Sequence, residues 1–191
     1  MTVYDLHMLK DYVEECTLCE LNKDRINLVM DKGNPGANIF ICGMAPAKEE
    51  NETGVPFVGR AGKLLDTILE EAGLSLKTVY ITNLVKCFLP AGEKLKEEWV
   101  AACFPYLLSQ IATISPKVVL TLGADASEAL IGNKFNTISR DRGSVLTLNG
   151  GLNIVPTYHP SYILRKGGIK SLDYPKVLMD FIKAKDISRE K

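Results

Sequence analysis

The sequence has no excess of either charge, with 23 Lys and Arg against 23 Asp and Glu. A uniformly basic coat for nucleic acid is therefore excluded, and any affinity for a polyanion must come from local clustering. No apolar run reaches the roughly 20 residues that span a bilayer, and no secretory pattern stands at the termini. A soluble, cytoplasmic protein with no membrane partner is therefore expected. There is no internal repeat and no low-complexity tract, which excludes a solenoid or a disordered linker protein. Histidine is scarce, with only two in the chain, so imidazole chemistry has few places to sit. What remains is ordinary globular material: 191 residues, 46% of them apolar, are enough to bury a full core in one domain over 1–191.

Four short apolar runs, at 37–43, 79–85, 117–123 and 152–158, read as strands. Helical patterns lie between and after them at 61–72, 96–114, 124–131 and 173–185, and an amphipathic, acidic first helix is expected over 5–20. Strands alternating with helices predict a parallel sheet covered on both faces. In such sheets ligands bind beyond the carboxyl ends of the strands. That rule selects Gly43, Met44, Ala45 and Pro46, then Asn83 with Lys86, Gly123 with Ala124, and His159 with Pro160 and Ser161. The polar stretch GMAPAKEENETGVPFVGRAG at 43–62 reads as a long loop, and Phe57 within it makes it a pocket wall rather than a disordered segment.

Four of the five cysteines form two groups, Cys16 with Cys19 as CTLC and Cys87 with Cys103. Four thiolates complete a tetrahedral zinc site or hold an iron–sulfur cluster, and the spacing alone does not choose between them. Cys42, inside an apolar strand, reads as an inert buried thiol. His159 stands at a strand end before a proline, where imidazole serves as hydrogen-bond donor or acid–base group. His7 reads as a surface or interface residue. Asn83 ends an apolar strand, where a buried amide must be paired. An amide accepts once and donates twice, which suits the edge of uracil and mismatches cytosine. The alternative reading of Asn83 is a strand-end cap. The stretch YHPSYILRKGGIK at 158–170 carries Arg165, Lys166 and Lys170 and no acid. It reads as a phosphate-contacting patch or as a solvated loop.

Taken in order, CTLCELNKDR, GNPGANIFICG, TGVPFVGRAGKLLD, VYITNLVKC, PKVVLTLGADA and YHPSYILR resemble the iron–sulfur uracil-DNA glycosylases of family four over most of the chain. The resemblance implies a three-layer α/β/α fold with a four-stranded parallel sheet. It implies a structural 4Fe-4S cluster on Cys16, Cys19, Cys87 and Cys103, and a hydrolase that excises uracil from single- or double-stranded DNA during base-excision repair, acting as a monomer. No replication or repair partner protein is identified by it. Carried over by position, Phe57 stacks on the base, Asn83 reads its edge, and His159 bonds its O2 oxygen. Gly43, Met44 and Ala45 line the base pocket, and Glu50 is the candidate to activate water. Ile163 and Leu164 form the wedge that enters the vacated stack, with Lys86, Ser161, Arg165 and Lys166 toward the DNA backbone. The first motif departs from family four: Met44 stands where the family has glutamate, and GMAPA resembles family five, whose substrate range is broader. Excision of other deaminated bases such as hypoxanthine, or a silent DNA-binding paralogue, are the alternatives this departure raises.

Overall fold

The computed structural model describes residues 5–148 and 150–190. In chain order it contains α1 (Leu6–Glu14), β1 (Lys32–Gly33), β2 (Ile39–Gly43), α2 (Lys48–Thr53), α3 (Arg60–Glu71), β3 (Val79–Asn83), α4 (Glu97–Ile114), β4 (Val118–Leu122), α5 (Ala124–Ile131), α6 (Ile138–Asp141), β5 (Leu146–Thr147), β6 (Asn153–Thr157), α7 (Pro160–Arg165) and α8 (Tyr174–Arg189). The sheet order is β1-β3-β2-β4-β6-β5. The four expected strands form its parallel centre, β3-β2-β4-β6. The two-residue strands β1 and β5 add antiparallel edges, so the sheet has six strands rather than four.

The strands read as unbroken apolar runs because helices cover both faces. Alternate residues Ile39, Ile41, Ile81, Leu120 and Val155 pack with Leu65 and Ile68 of α3 and with Val177 and Phe181 of α8. The intervening residues Phe40, Cys42, Tyr80, Val119 and Ile154 pack with Leu107 of α4 and Leu130 of α5. A third apolar cluster joins Leu9 and Val13 of α1 to Val85, Trp99 and Tyr106. Among the described residues no helix is long and apolar enough to cross a membrane.

Three expected elements differ. The first helix stops at Glu14, where the amide of Cys16 bonds the Val13 carbonyl and the chain turns into the CTLC segment. The 43–62 loop contains the helix α2, and the basic stretch after His159 begins with α7. Each has six residues, too short for a helical period to stand out in sequence. Pro160 at the start of α7 suits a helix N-terminus, where no amide donor is required.

Close packing fixes the approach of α3 to the preceding loop. A Cβ on Gly62 would lie 1.9 Å from the Phe57 carbonyl oxygen, whereas one on Gly36 would meet only Asn34 Oδ1 at 3.5 Å. Gly62→Ala is therefore expected to destabilise the protein by about 2 kcal/mol more than Gly36→Ala, measured by urea unfolding.

Candidate active site

The parallel register brings the carboxyl ends of the strands level, pairing Gly43 with Asn83 and Leu122 with Thr157. Gly43 lets its neighbours close in: a Cβ there would sit 2.4 Å from Asn83 Oδ1 and 2.4 Å from Phe57 Cζ. Asn83 is 2% exposed, and its Oδ1 is a buried acceptor with no hydrogen-bond partner among the described residues. A bare buried acceptor costs on the order of 1–3 kcal/mol. The strand-end cap weighed from sequence would have given that oxygen a backbone donor. The ring of Phe57 in turn stacks on His159, with centroids 6.0 Å apart and planes 30° apart. Asn83 and Phe57 thus meet across Gly43, and Phe57 joins them to His159.

Phe57 holds a left-handed backbone (φ 55°), an unfavourable conformation for an aromatic residue that its surroundings must impose. Glu50 supplies the restraint. It is 7% exposed; its Oε1 accepts from the amides of Val58 (2.9 Å) and Gly59 (3.0 Å), and its Oε2 from that of Ala47 (3.1 Å). Lys32 Nζ also donates to the Phe57 carbonyl at 2.9 Å. Both oxygens of Glu50 therefore hold the loop, a different task from the water activation expected of it.

His159 is the N-cap of α7, and its Nδ1 accepts from the Ser161 amide at 3.1 Å and lies 2.8 Å from Ser161 Oγ. An amide can only donate, so Nδ1 carries the lone pair, and the neutral ring bears its proton on Nε2. Burial of the ring, aided by the nearby Arg165 and opposed by Glu50, lowers its pKa from 6.5 to about 4. His159 lines a cleft of about 340 Å³ with Met44, Gly123, Asp125, Tyr158, Tyr162 and Arg165. Tyr158 and Tyr162 stack at 4.8 Å along it. Met44 brings a thioether to this wall, with no proton to give or take. Met44 and Ala45 both pack against the α1–α4 cluster, and Ala45 is not among the residues that line this cleft.

Cys16, Cys19, Cys87 and Cys103 line one cavity with Lys86 and Tyr106. Tyr106 Oη donates to Cys16 Sγ at 3.3 Å, and Arg25 Nη1 to Cys87 Sγ at 3.7 Å. Burial raises the Cys87 thiol against the opposing Arg25 guanidinium, and burial pushes the Cys103 thiol up to about 11. Among the described residues no three His, Cys, Asp or Glu side chains close on one point as the ligands of a single ion do. Cys42 lies apart in β2, fully buried, with its thiol pushed up to about 12 by burial.

Two expected DNA contacts are corrected. Lys86 is 0% exposed; its Nζ donates to Thr82 Oγ1 at 2.9 Å and to the Asn83 carbonyl at 2.5 Å, so it cannot touch a phosphate. Ile163 is likewise 0% exposed and belongs to the core under α3 and α8, so it cannot enter a base stack. Leu164 packs half-buried on that core, whereas Arg165 and Lys166 are exposed. Ser161 is half-buried, with its hydroxyl on the imidazole. Sequence reasoning missed Arg25, Tyr106, Tyr158 and Tyr162. For Arg25 the only sequence signal is its place in CTLCELNKDR, and for the paired tyrosines their spacing on either side of His159.

The sequence profile described as the uracil DNA glycosylase superfamily matches residues 30–182. A "Type-4 uracil-DNA glycosylase" of Thermotoga maritima is 41% identical over 160 residues, covering 84% of this chain and 83% of that protein. One of Saccharolobus solfataricus is 40% identical over 183 residues, covering 91% of this chain and 85% of its own. A "Type-5 uracil-DNA glycosylase" of Pyrobaculum aerophilum is 28% identical over 144 residues, 68% of this chain and 63% of that protein, in keeping with the mixed character of the first motif. With the profile spanning most of the chain and type-4 relatives aligned across its length, the protein belongs to the uracil-DNA glycosylase superfamily.

Proposed function

We propose that the protein hydrolyses the N-glycosidic bond of uracil in DNA, leaving an abasic site for base-excision repair. The observation that carries this reading is the buried, unpartnered Oδ1 of Asn83 beside the Phe57 ring, which stacks in turn on the imidazole of His159. An extruded uracil offers N3–H to that oxygen and O4 to the amide nitrogen. Cytosine reverses both groups and leaves them unpaired. Extrusion costs a few kcal/mol, which stacking on Phe57 offsets in part.

As the glycosidic bond breaks, negative charge collects on the base, including O2, and positive charge on the sugar. A neutral imidazole with its proton fixed on Nε2 donates to O2 more strongly as that charge grows, lowering the barrier rather than merely binding substrate. Met44 cannot orient a water and Glu50 is held by three amides, so rate rests on this electrostatic stabilisation more than on water activation. Glu50 is a positioning residue: it fixes the loop that carries Phe57. Ser161 fixes the imidazole, and exposed Arg165 and Lys166 face the DNA phosphates.

Cys16, Cys19, Cys87 and Cys103 are the residues that would hold a 4Fe-4S cluster. Four cysteines lining one cavity fit a cluster in which each iron takes one thiolate. Bound there, the group would supply structure, with Cys16 and Cys19 tying the segment after α1 to Cys87 and Cys103 in the excursion before and into α4.

Oligonucleotides with one uracil, single- or double-stranded, should acquire alkali-labile sites on incubation with the protein, and His159→Ala should slow this by about 100-fold or more. Absence of cleavage in both forms refutes the reading, and binding of uracil DNA without turnover identifies a silent paralogue. Because the folded His159 stays neutral down to about pH 4, single-turnover rates should show no inflection near 6.5. The sign for stability follows from linkage: the unfolded histidine takes up a proton near 6.5 that the folded one refuses until about 4. This group's contribution is therefore fully present above pH 6.5 and falls as pH drops through that window, read by urea titrations at each pH. Cys103→Ser should lose visible absorbance and unfold at lower temperature. A variant that loses absorbance with unchanged melting contradicts the structural role.

A further inference from the structure

Each of the cavity cysteines has a hydrogen-bond donor of its own. Tyr106 Oη donates to Cys16 Sγ at 3.3 Å and Arg25 Nη1 to Cys87 Sγ at 3.7 Å, while the backbone amides of Leu21 and Lys86 bond Cys19 and Cys103. The two amides come with the fold. The other two donors are side chains, and each is held from a second side. Arg25 reaches back to the end of α1, donating to the Glu14 carbonyl at 2.7 Å and the Val13 carbonyl at 3.4 Å. The Tyr106 ring packs edge-on against Tyr12, with centroids 6.1 Å apart and planes at 67°. Tyr106 also lines an open groove of about 430 Å³ between α1 and α4, so one ring walls both the cysteine cavity and the surface groove.

The charges around the cavity have one sense. The fully buried Lys86 lines it, Arg25 reaches one of its sulfurs, and no carboxylate lines it among the described residues. Glu20, beside Cys19, is exposed and paired with Lys96 at 3.3 Å. A 4Fe-4S core in its 2+ state with four thiolates is a dianion, and loss of one electron leaves a monoanion. Donors and cations beside the sulfurs stabilise the dianion more, and hydrogen bonds to sulfur are among the groups that set such potentials. We infer that Tyr106 and Arg25 set the reduction potential of the cluster and so guard the scaffold against one-electron oxidation. This rests on the cluster assignment made above. In that oxidation one electron passes from the iron to the oxidant, and no bond to Cys16 or Cys87 is made or broken.

The test is potentiometry on the anaerobically purified holoprotein, with ferricyanide as the one-electron oxidant that becomes ferrocyanide. Tyr106→Phe keeps the ring and removes the donor. It should lower the midpoint potential, so that the oxidised-to-reduced ratio at a fixed potential rises about tenfold, which is about 59 mV for one electron. Arg25→Gln should shift it in the same direction, and Arg25→Lys, which keeps the charge, should recover part of the shift. The paramagnetic signal of the oxidised cluster should appear at less ferricyanide in each shifted variant, while Tyr106→Phe keeps the iron content and melting of wild type. Because Arg25 also anchors the end of α1, variants there that lose iron leave the decision to Tyr106→Phe. An unchanged potential in iron-replete Tyr106→Phe, whether or not its melting falls, overturns the inference and leaves the cluster assignment standing. Colourless wild-type protein that contains zinc overturns the assignment, and the inference with it.

Discussion

The carboxylate of Glu50 is the point on which the site depends. Three amides on one buried charge make strong, charge-assisted hydrogen bonds, and they draw Ala47, Val58 and Gly59 to the same place. The Phe57 backbone is held in its unfavourable conformation between them. The next residue works on the opposite side. Asn51, 4% exposed, accepts from the Ile26 amide at 2.8 Å and donates to the Asp24 carbonyl at 2.9 Å. One short helix thus fastens the Phe57 loop on one flank and the segment that follows CTLC on the other.

The sheet sets the second constraint. Parallel strands in register end at one level, and the residues that follow must share a narrow rim. Gly43 makes that rim usable by leaving room for Asn83 and Phe57 to meet. Gly123 does the same across the sheet, where a Cβ would lie 3.2 Å from that of His159 and where φ is +91°. The chemistry then depends on small groups placed where backbone has given way, with His159 orientated by the first turn of its own short helix.

Much of this was legible in sequence. The four central strands could be read because burial on both faces writes an unbroken apolar run, and α3, α4, α5 and α8 because each is long enough to show a period or is bounded by glycine. Asn83 and His159 followed from strand ends, Phe57 from its place in the 43–62 loop and from the family resemblance, and the structure links the three through the Phe57 ring. Illegible were features decided by tertiary placement. Lys86 looks like any lysine after a strand, yet its ammonium points inward to Thr82 and the Asn83 carbonyl. Ile163 and Leu164 are adjacent apolar residues in a basic stretch, and only the docking of α7 on α3 and α8 decides that the first belongs to the core. Glu50 and Glu49 are indistinguishable in sequence; the turn of α2 buries one and exposes the other.

The buried ammonium of Lys86 also sets a length. It rests on the Asn83 carbonyl at 2.5 Å while lining the cavity of the four cysteines, the next of which, Cys87, is its own neighbour in the chain. The Asn83 amide and the sulfur wall are therefore separated by three residues, and the last of the three, Lys86, is bonded back to Asn83. An insertion or deletion here has nowhere to be absorbed, since looping out a residue would pull either the amide from the pocket or the sulfur from its cavity. The stretch acts as a ruler, and the distance between recognition and scaffold is set by the chain itself.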